Sequence, residues 1–262
     1  MPRRFGRWIA VLVASSVALL APVPMLTPAA EALEPSTVPA IPAPYLNQRI
    51  DWTDCAGDFG SQCASVTVPM DWQNPARGNI SIAIAYLRSS SSVSKGLLTS
   101  NPGGPGAAGR MLTEALSMPD ATGQGGERRL RQYDLLGFDP RGFGDSTNVK
   151  CLTTTAKLKK LPKVADRRVR NRATHAMEIA EAKLFGEACA SQPVARYINT
   201  QQTVWDLDFL RQLLEKDKVK SYPVLNYVGY SYGTWLGAWY ADTYPSKVGR
   251  FILDSNMQWT SS

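Results

Sequence analysis

An α/β domain built on a mostly parallel sheet is the fold class that this 262-residue sequence predicts. Three observations lead there. Two strand-like runs open the folded part, at 65–68 and 79–88. Short apolar runs then alternate with stretches of helical period, the pattern of strands joined by helical crossovers. The runs end in turn signals or glycine-containing loops, notably at 101–106, 138–146 and 229–233, and ligands of such sheets bind beyond the carboxyl ends of the strands. Composition agrees, with 44% apolar and 19% charged residues, as in ordinary globular chains and unlike collagenous or disordered ones. The sharpest constraint is a single histidine, His175. A metal site, general base or triad within these residues must use it or do without imidazole.

The elements follow in order. Arg3, Arg4 and Arg7 precede an apolar run over 8–20, and Ala30-Glu31-Ala32 supplies a small-x-small cleavage signal, so 1–32 reads as a secretory signal peptide. The run is short for a bilayer span, and no later segment could cross one. Pro35, Pro39, Pro42 and Pro44 make 33–48 a linker expected to run extended. The domain then occupies 49–262. Ile80, Ile82, Ile84 and Tyr86 recur at period two, a half-buried strand with which 65–68 should pair. Apolar runs at 97–100, 133–138, 224–228 and 248–253 read as buried parallel strands, about six strands in all. Val204, Leu207, Leu210 and Leu214 share a helix face behind an Asn199-Thr200 cap. Trp235 and Trp239 lie on a helix running from Gly233 until Pro245 stops it, with Gly233 and Gly237 permitting close approach to the sheet.

The formal charge is +7, much of it between Lys157 and Arg172. No aromatic residue interleaves those charges, so a solvated helical face is expected there and a nucleic-acid surface is not. Four cysteines in an exported chain suggest two disulfides in one of three connectivities. Local pairing, Cys55 with Cys63 and Cys151 with Cys189, closes two compact loops and is favoured. No C-x-x-C spacing exists and His175 lies in another setting, so neither a zinc site nor any other metal or cofactor is implied.

Three loops concentrate the chemistry. Gly229-Tyr230-Ser231-Tyr232-Gly233 is a G-x-S-x-G sequence between a predicted strand and a predicted helix. Such a junction forces the serine into a strained backbone and presents its hydroxyl to a pocket, with glycines where a Cβ would collide. The helix N-terminus beside it favours negative charge. Asn101-Pro102-Gly103-Gly104-Pro105-Gly106 follows a strand, and its glycines let N–H groups face a ligand. Gly103 or Gly104 could donate to an oxyanion together with the N–H of Tyr232. In the third loop Asp139 and Arg141 are close enough in sequence to lock the turn as an ion pair, a scaffold role.

With NPGGPG at 101–106, DLLGFDPRGFGDS at 134–146 and VGYSYGTWLGAWYADTYPSKVGRFILD at 228–254, the chain resembles the secreted α/β-hydrolase peptidases of the tripeptidyl aminopeptidase and proline iminopeptidase kind. VPMDW at 68–72 and Cys151 extend the likeness to about residues 52–254. The resemblance implies an α/β-hydrolase fold, Ser231 as nucleophile, an oxyanion hole from the Gly103-Gly104 turn plus Tyr232, and release of short peptides from free N-termini. The tripeptidyl branch fits better, because Asn101-Pro102 stands where proline iminopeptidases usually have His-Gly-Gly-Pro-Gly.

The departures are as informative. In these hydrolases the acid and then the histidine follow the nucleophile, yet no histidine follows Ser231 here and His175 precedes it. The family's last strands, its cap and its amine-recognising acids are likewise missing, so these residues are expected to be the N-terminal part of such an enzyme, with little activity by themselves. Its implied partners are a peptide substrate and a C-terminal half. Asp254 ends the last predicted strand, where a minority of such folds place the acid. Val248, Phe251, Ile252 and Leu253 should then form an open apolar edge. An inactive remnant, a binding protein, and an esterase or lipase-type acyl hydrolase are the alternatives, the last because the acyl-transfer chemistry is shared.

Overall fold

The structure is a computed structural model that describes residues 38–56, 60–118, 128–149, 151, 157, 159–161, 163 and 166–257. The expected signal peptide lies outside the described residues. Among the described residues seven strands form one sheet in the order β1-β2-β3-β5-β4-β6-β7: Thr53–Asp54, Gln62–Pro69, Asn79–Leu87, Leu97–Asn101, Asp134–Phe138, Leu225–Tyr230 and Val248–Asp254 are β1 to β7. The period-two run of Ile80, Ile82 and Ile84 forms β3, paired antiparallel with β2. The next link, β3 to β5, is also antiparallel, whereas β5, β4, β6 and β7 run parallel. Only β1, two residues long, is new relative to the sequence-derived strands.

Both faces of the sheet are covered, as a parallel sheet requires. Leu97, Leu136 and Leu225 point to one face and join Leu207, Leu210 and Leu214 of the helix Thr200–Asp217 in the larger core. Leu98, Leu135 and Val228, one position out of phase, fill a smaller core on the other face with Leu116. The described helices are α1 (Ala43–Leu46), α2 (Leu112–Ser117), α3 (Arg172–Ala190), α4 (Thr200–Asp217) and α5 (Tyr232–Thr243). The cap expected before α4 is present: Asn199 Oδ1 accepts from the Gln202 N–H at 3.0 Å.

Two expectations are corrected. The linker does not run extended throughout, because Ala43–Leu46 is a helical turn begun by Pro42 and Pro44, with Tyr45 and Leu46 packed on the larger core. The basic cluster is not one helical face either. Most of its charges precede α3, and Arg167 and Arg170 reach forward to pair with Glu181 and Glu178 on that helix. Both disulfides join the expected partners, Cys55 with Cys63 and Cys151 with Cys189.

Gly137 shows how tightly the segment leading into α2 approaches the sheet. A Cβ there would lie 1.5 Å from the Arg110 carbonyl oxygen, so backbone would have to move. Gly137→Ala is expected to cost at least about 1–3 kcal/mol, read as a lowered urea midpoint; a shift within about 0.5 kcal/mol would contradict this packing. At the opposite edge, β7 pairs with β6 and has no second neighbour among the described residues. Ile252 is 58% and Leu253 38% exposed there, as the sequence predicts, whereas Val248 and Phe251 of the expected open edge are half-buried, Phe251 packing on the larger core against Tyr227 and Tyr240.

Candidate active site

The strand order fixes where a site can form. From β4 the chain crosses to β5 on one side, and from β6 it crosses to β7 on the other, so β4 and β6 flank the point where connections diverge. A crevice opens at the carboxyl ends of such a pair. Asn101 and Gly229 are register partners there, which brings the 101–106 loop against the G-x-S-x-G turn.

Ser231 is the hinge between β6 and α5, with φ 52° and ψ −120°. For a residue with a Cβ this costs on the order of 1–3 kcal/mol and persists only where the surroundings over-determine it. They do. The Ser231 N–H donates to the Asp254 carbonyl at 3.1 Å, and the Ser231 carbonyl accepts from both the N–H and the hydroxyl of Thr234 at 2.9 and 2.7 Å. The flanking glycines are steric necessities: a Cβ on Gly229 would lie 2.4 Å from the Gly233 carbonyl oxygen, and one on Gly233 2.5 Å from that of Asn101. The Ser231 side chain is exposed, and its hydroxyl makes no hydrogen bond among the described residues.

The 101–106 loop reaches this turn through Gly103. At φ 94°, a Cβ there would stand 3.0 Å from both Ser231 Cβ and Tyr232 N and 2.4 Å from the Tyr230 oxygen, so only glycine fits. The structure separates the two candidate donors of this loop. The Gly103 N–H is held by Asn101 Oδ1 at 2.9 Å, whereas the N–H groups of Gly104 and Tyr232 have no partner among the described residues. Unpaired amides at a helix start form a setting for negative charge.

Asp254 meets the turn through its main chain, opposite Tyr230 in the β6–β7 register. Its carboxylate is exposed and takes a 3.4 Å contact from the Ser255 hydroxyl. The Tyr230 hydroxyl is pushed up by burial first and by this nearby carboxylate second. His175 lies exposed in the first turn of α3, and the structure gives it no contact with Ser231 or Asp254.

The third loop departs from its expected pairing. Asp139 does not bind Arg141; it accepts the N–H groups of Gly109, Arg110 and Asp145 at 2.8–2.9 Å, tying the 138–146 loop to the segment after β4. Arg141 turns inward and is fully buried against Asp206 of α4, with Nε–Oδ2 at 2.7 Å and a second contact at 2.6 Å. Trp72 Nε1 donates to the same carboxylate at 2.8 Å. Three well-directed neutral N–H donors satisfy Asp139, while the one guanidinium in reach of Asp206 meets it with fork geometry. The sequence signal that could have revealed Asp206 is an acid adjoining the apolar Val204, Leu207 and Leu210 positions.

Beside the turn lies a cavity of about 350 Å³ whose walls include Gly103, Phe143, Ile198, Thr200 and Tyr232. The Tyr232 hydroxyl is hydrogen-bonded to Thr200 Oγ1 at 2.8 Å. Burial raises its pKa against the lowering effect of that bond.

Residues 102–262 match the family described as alpha/beta hydrolase fold. The chain is 35% identical over 214 residues to a tripeptidyl aminopeptidase of Streptomyces coelicolor, covering 79% of this chain and 38% of that protein. It is 32% identical over 225 residues to the serine protease Hip1 of Mycobacterium tuberculosis, covering 80% of this chain and 40% of the relative. It is also 32% identical over 146 residues to carboxylesterase B of the same organism, covering 52% and 27%. The chain thus spans about two fifths of the length of the curated peptidases it matches. A family match across more than half of the chain, on a sheet whose strained serine turn sits where the connections diverge, makes this chain a member of the alpha/beta hydrolase fold family.

Proposed function

We propose that this chain carries the nucleophile of an exported serine exopeptidase that removes short peptides, tripeptides in particular, from free N-termini. The observation that carries the proposal is Ser231, held at φ 52° with its side chain exposed, next to the unpaired N–H of Tyr232 and against the Gly103 turn. Similarity to a tripeptidyl aminopeptidase and to a serine protease supports the substrate class. The two disulfides and the leader-like residues 1–32 support export to the cell surface or beyond.

In this proposal Ser231 Oγ attacks the carbonyl carbon of the third residue of the peptide and gives up its proton to a base. The carbonyl oxygen, now negative, is held by the Tyr232 N–H and a donor from the 103–104 turn. As the tetrahedral adduct collapses, the base returns that proton to the leaving nitrogen, the C–N bond breaks and the shortened peptide departs with a free amine, leaving an acyl-serine that water hydrolyses to the free tripeptide and Ser231. The base and its orienting acid come from polypeptide beyond these residues, and Asp254 holds the turn through its main chain.

The test joins this chain to the remaining C-terminal part of the Streptomyces relative and assays a tripeptide anilide with a free or an acetylated amine. Turnover that acetylation abolishes is the expected result. Similarity to carboxylesterase B favours a second reading, ester hydrolysis at the same serine. Turnover of a short-chain nitrophenyl ester with none of either anilide would select it.

A further inference from the structure

We infer that the cavity beside Ser231 is an uncharged side-chain subsite, taking the apolar side chain of the residue whose carbonyl is attacked, with Phe143 and Ile198 as the residues that set its selectivity. This rests on the proposed role of Ser231 and specifies the substrate of that site. The placement is geometric. Gly103 and Tyr232 both line the cavity, and the same two residues frame the turn, a Cβ on Gly103 falling 3.0 Å from Ser231 Cβ and Tyr232 N. A carbonyl oxygen lodged at the Tyr232 N–H therefore leaves the neighbouring side chain beside this opening.

The wall decides what enters. Its apolar surface comes from Phe143, Ile198, two prolines and the Tyr232 ring. Its one ionised side chain, Arg141, is already neutralised by Asp206. Several of its other polar atoms are turned to internal work. Thr200 Oγ1 holds the Tyr232 hydroxyl, Asn199 Oδ1 caps α4 and Asn101 Oδ1 holds the Gly103 N–H. A lysine or glutamate side chain entering here would lose water and meet no opposite charge, which is costly, whereas an alkyl group gains by burial. About 350 Å³ lies at the small end of small-molecule sites.

Two glycines create the room. A Cβ on Gly106 would stand 2.6 Å from the Phe143 ring, and one on Gly142 2.4 Å from Ile198 Cδ1. Both wall residues thus lie flush against main chain that lacks a side chain, and each is half-buried, Ile198 also packing on the larger core, so Phe143 is the position where substitution alters the cavity with least effect on the core.

The experiment measures binding, not turnover, on the chain as it stands, so a failed catalytic assignment leaves its readout intact. Ligand-observed NMR titrations with N-acetyl-leucinamide and N-acetyl-lysinamide should give at least about tenfold tighter binding for the leucine probe. Ile198→Glu should reverse that preference, and Phe143→Ala should weaken the leucine probe several-fold, both variants being checked for an unchanged circular dichroism spectrum. If either variant fails to fold, the other carries the test, and the wild-type ratio stands by itself. Equal affinities, tighter lysine binding, no binding of either probe at millimolar concentration, or folded variants with wild-type affinities would overturn the inference.

Discussion

Replacement of Arg141 by methionine is expected to lower the stability of the domain by about 3–5 kcal/mol, the usual cost of removing one partner of a buried ion pair. Arg141 is fully buried, and its guanidinium serves Asp206 with two contacts at 2.6 and 2.7 Å as well as the Met70 carbonyl at 2.8 Å. Methionine would leave Asp206, 1% exposed, with the Trp72 indole as its remaining donor. The carboxylate would then take up a proton or draw in water, and either disrupts the junction of the third loop, α4 and β2. Urea denaturation measures the loss. The double variant Arg141→Met with Asp206→Leu removes both charges and should recover most of it, since an apolar pair of similar volume is often neutral. A single-variant loss below about 1 kcal/mol would show that the pair is dispensable.

In the fusion with the C-terminal part of the Streptomyces relative, the proposed role of Ser231 predicts that Ser231→Ala lowers kcat by about 10⁴- to 10⁶-fold, the scale for removing a serine nucleophile from a working triad. The effect should be almost purely catalytic. The hydroxyl makes no hydrogen bond among the described residues, and the main-chain bonds from Ser231 to Asp254 and Thr234 do not involve it. Alanine keeps the same backbone demands, so the urea midpoint should stay within about 0.5 kcal/mol of the parent. Gly103→Ala gives the contrast. Its Cβ would press on the Tyr230 oxygen at 2.4 Å, so activity and stability should fall together. Residual activity of Ser231→Ala within tenfold of the parent would remove this serine from the mechanism.

The chain by itself determined the elements and the turn. Alternation of Ile80, Ile82 and Ile84 demands a sheet face, and the three- and four-residue steps of the α4 face demand a helix. Gly229 and Gly233 around Ser231 admit a backbone that other residues would block. Each of these signals is local, written within a few residues, and each appears in the structure where the sequence puts it. The disulfide partners were legible for a related reason, because each pair joins cysteines that are consecutive in the chain, 8 and 38 residues apart.

Only the tertiary structure decided which groups meet. Asp139 lies two residues from Arg141, yet Arg141 binds an acid 65 positions later. Sequence proximity governs what is reachable, but the choice between partners is made by the total desolvation and hydrogen bonding of every group in the neighbourhood. The same holds for the glycines of the second loop, where Asn101 occupies one N–H and leaves the next unpaired. It holds again for the cavity, whose walls come from four separate stretches of chain brought to the carboxyl ends of β4 and β6 by the strand order. Hydrophobic period and backbone sterics act over one turn or one pleat and so can be read along the chain. Partner choice and cavity shape arise from packing between distant segments, and only the folded chain supplies them.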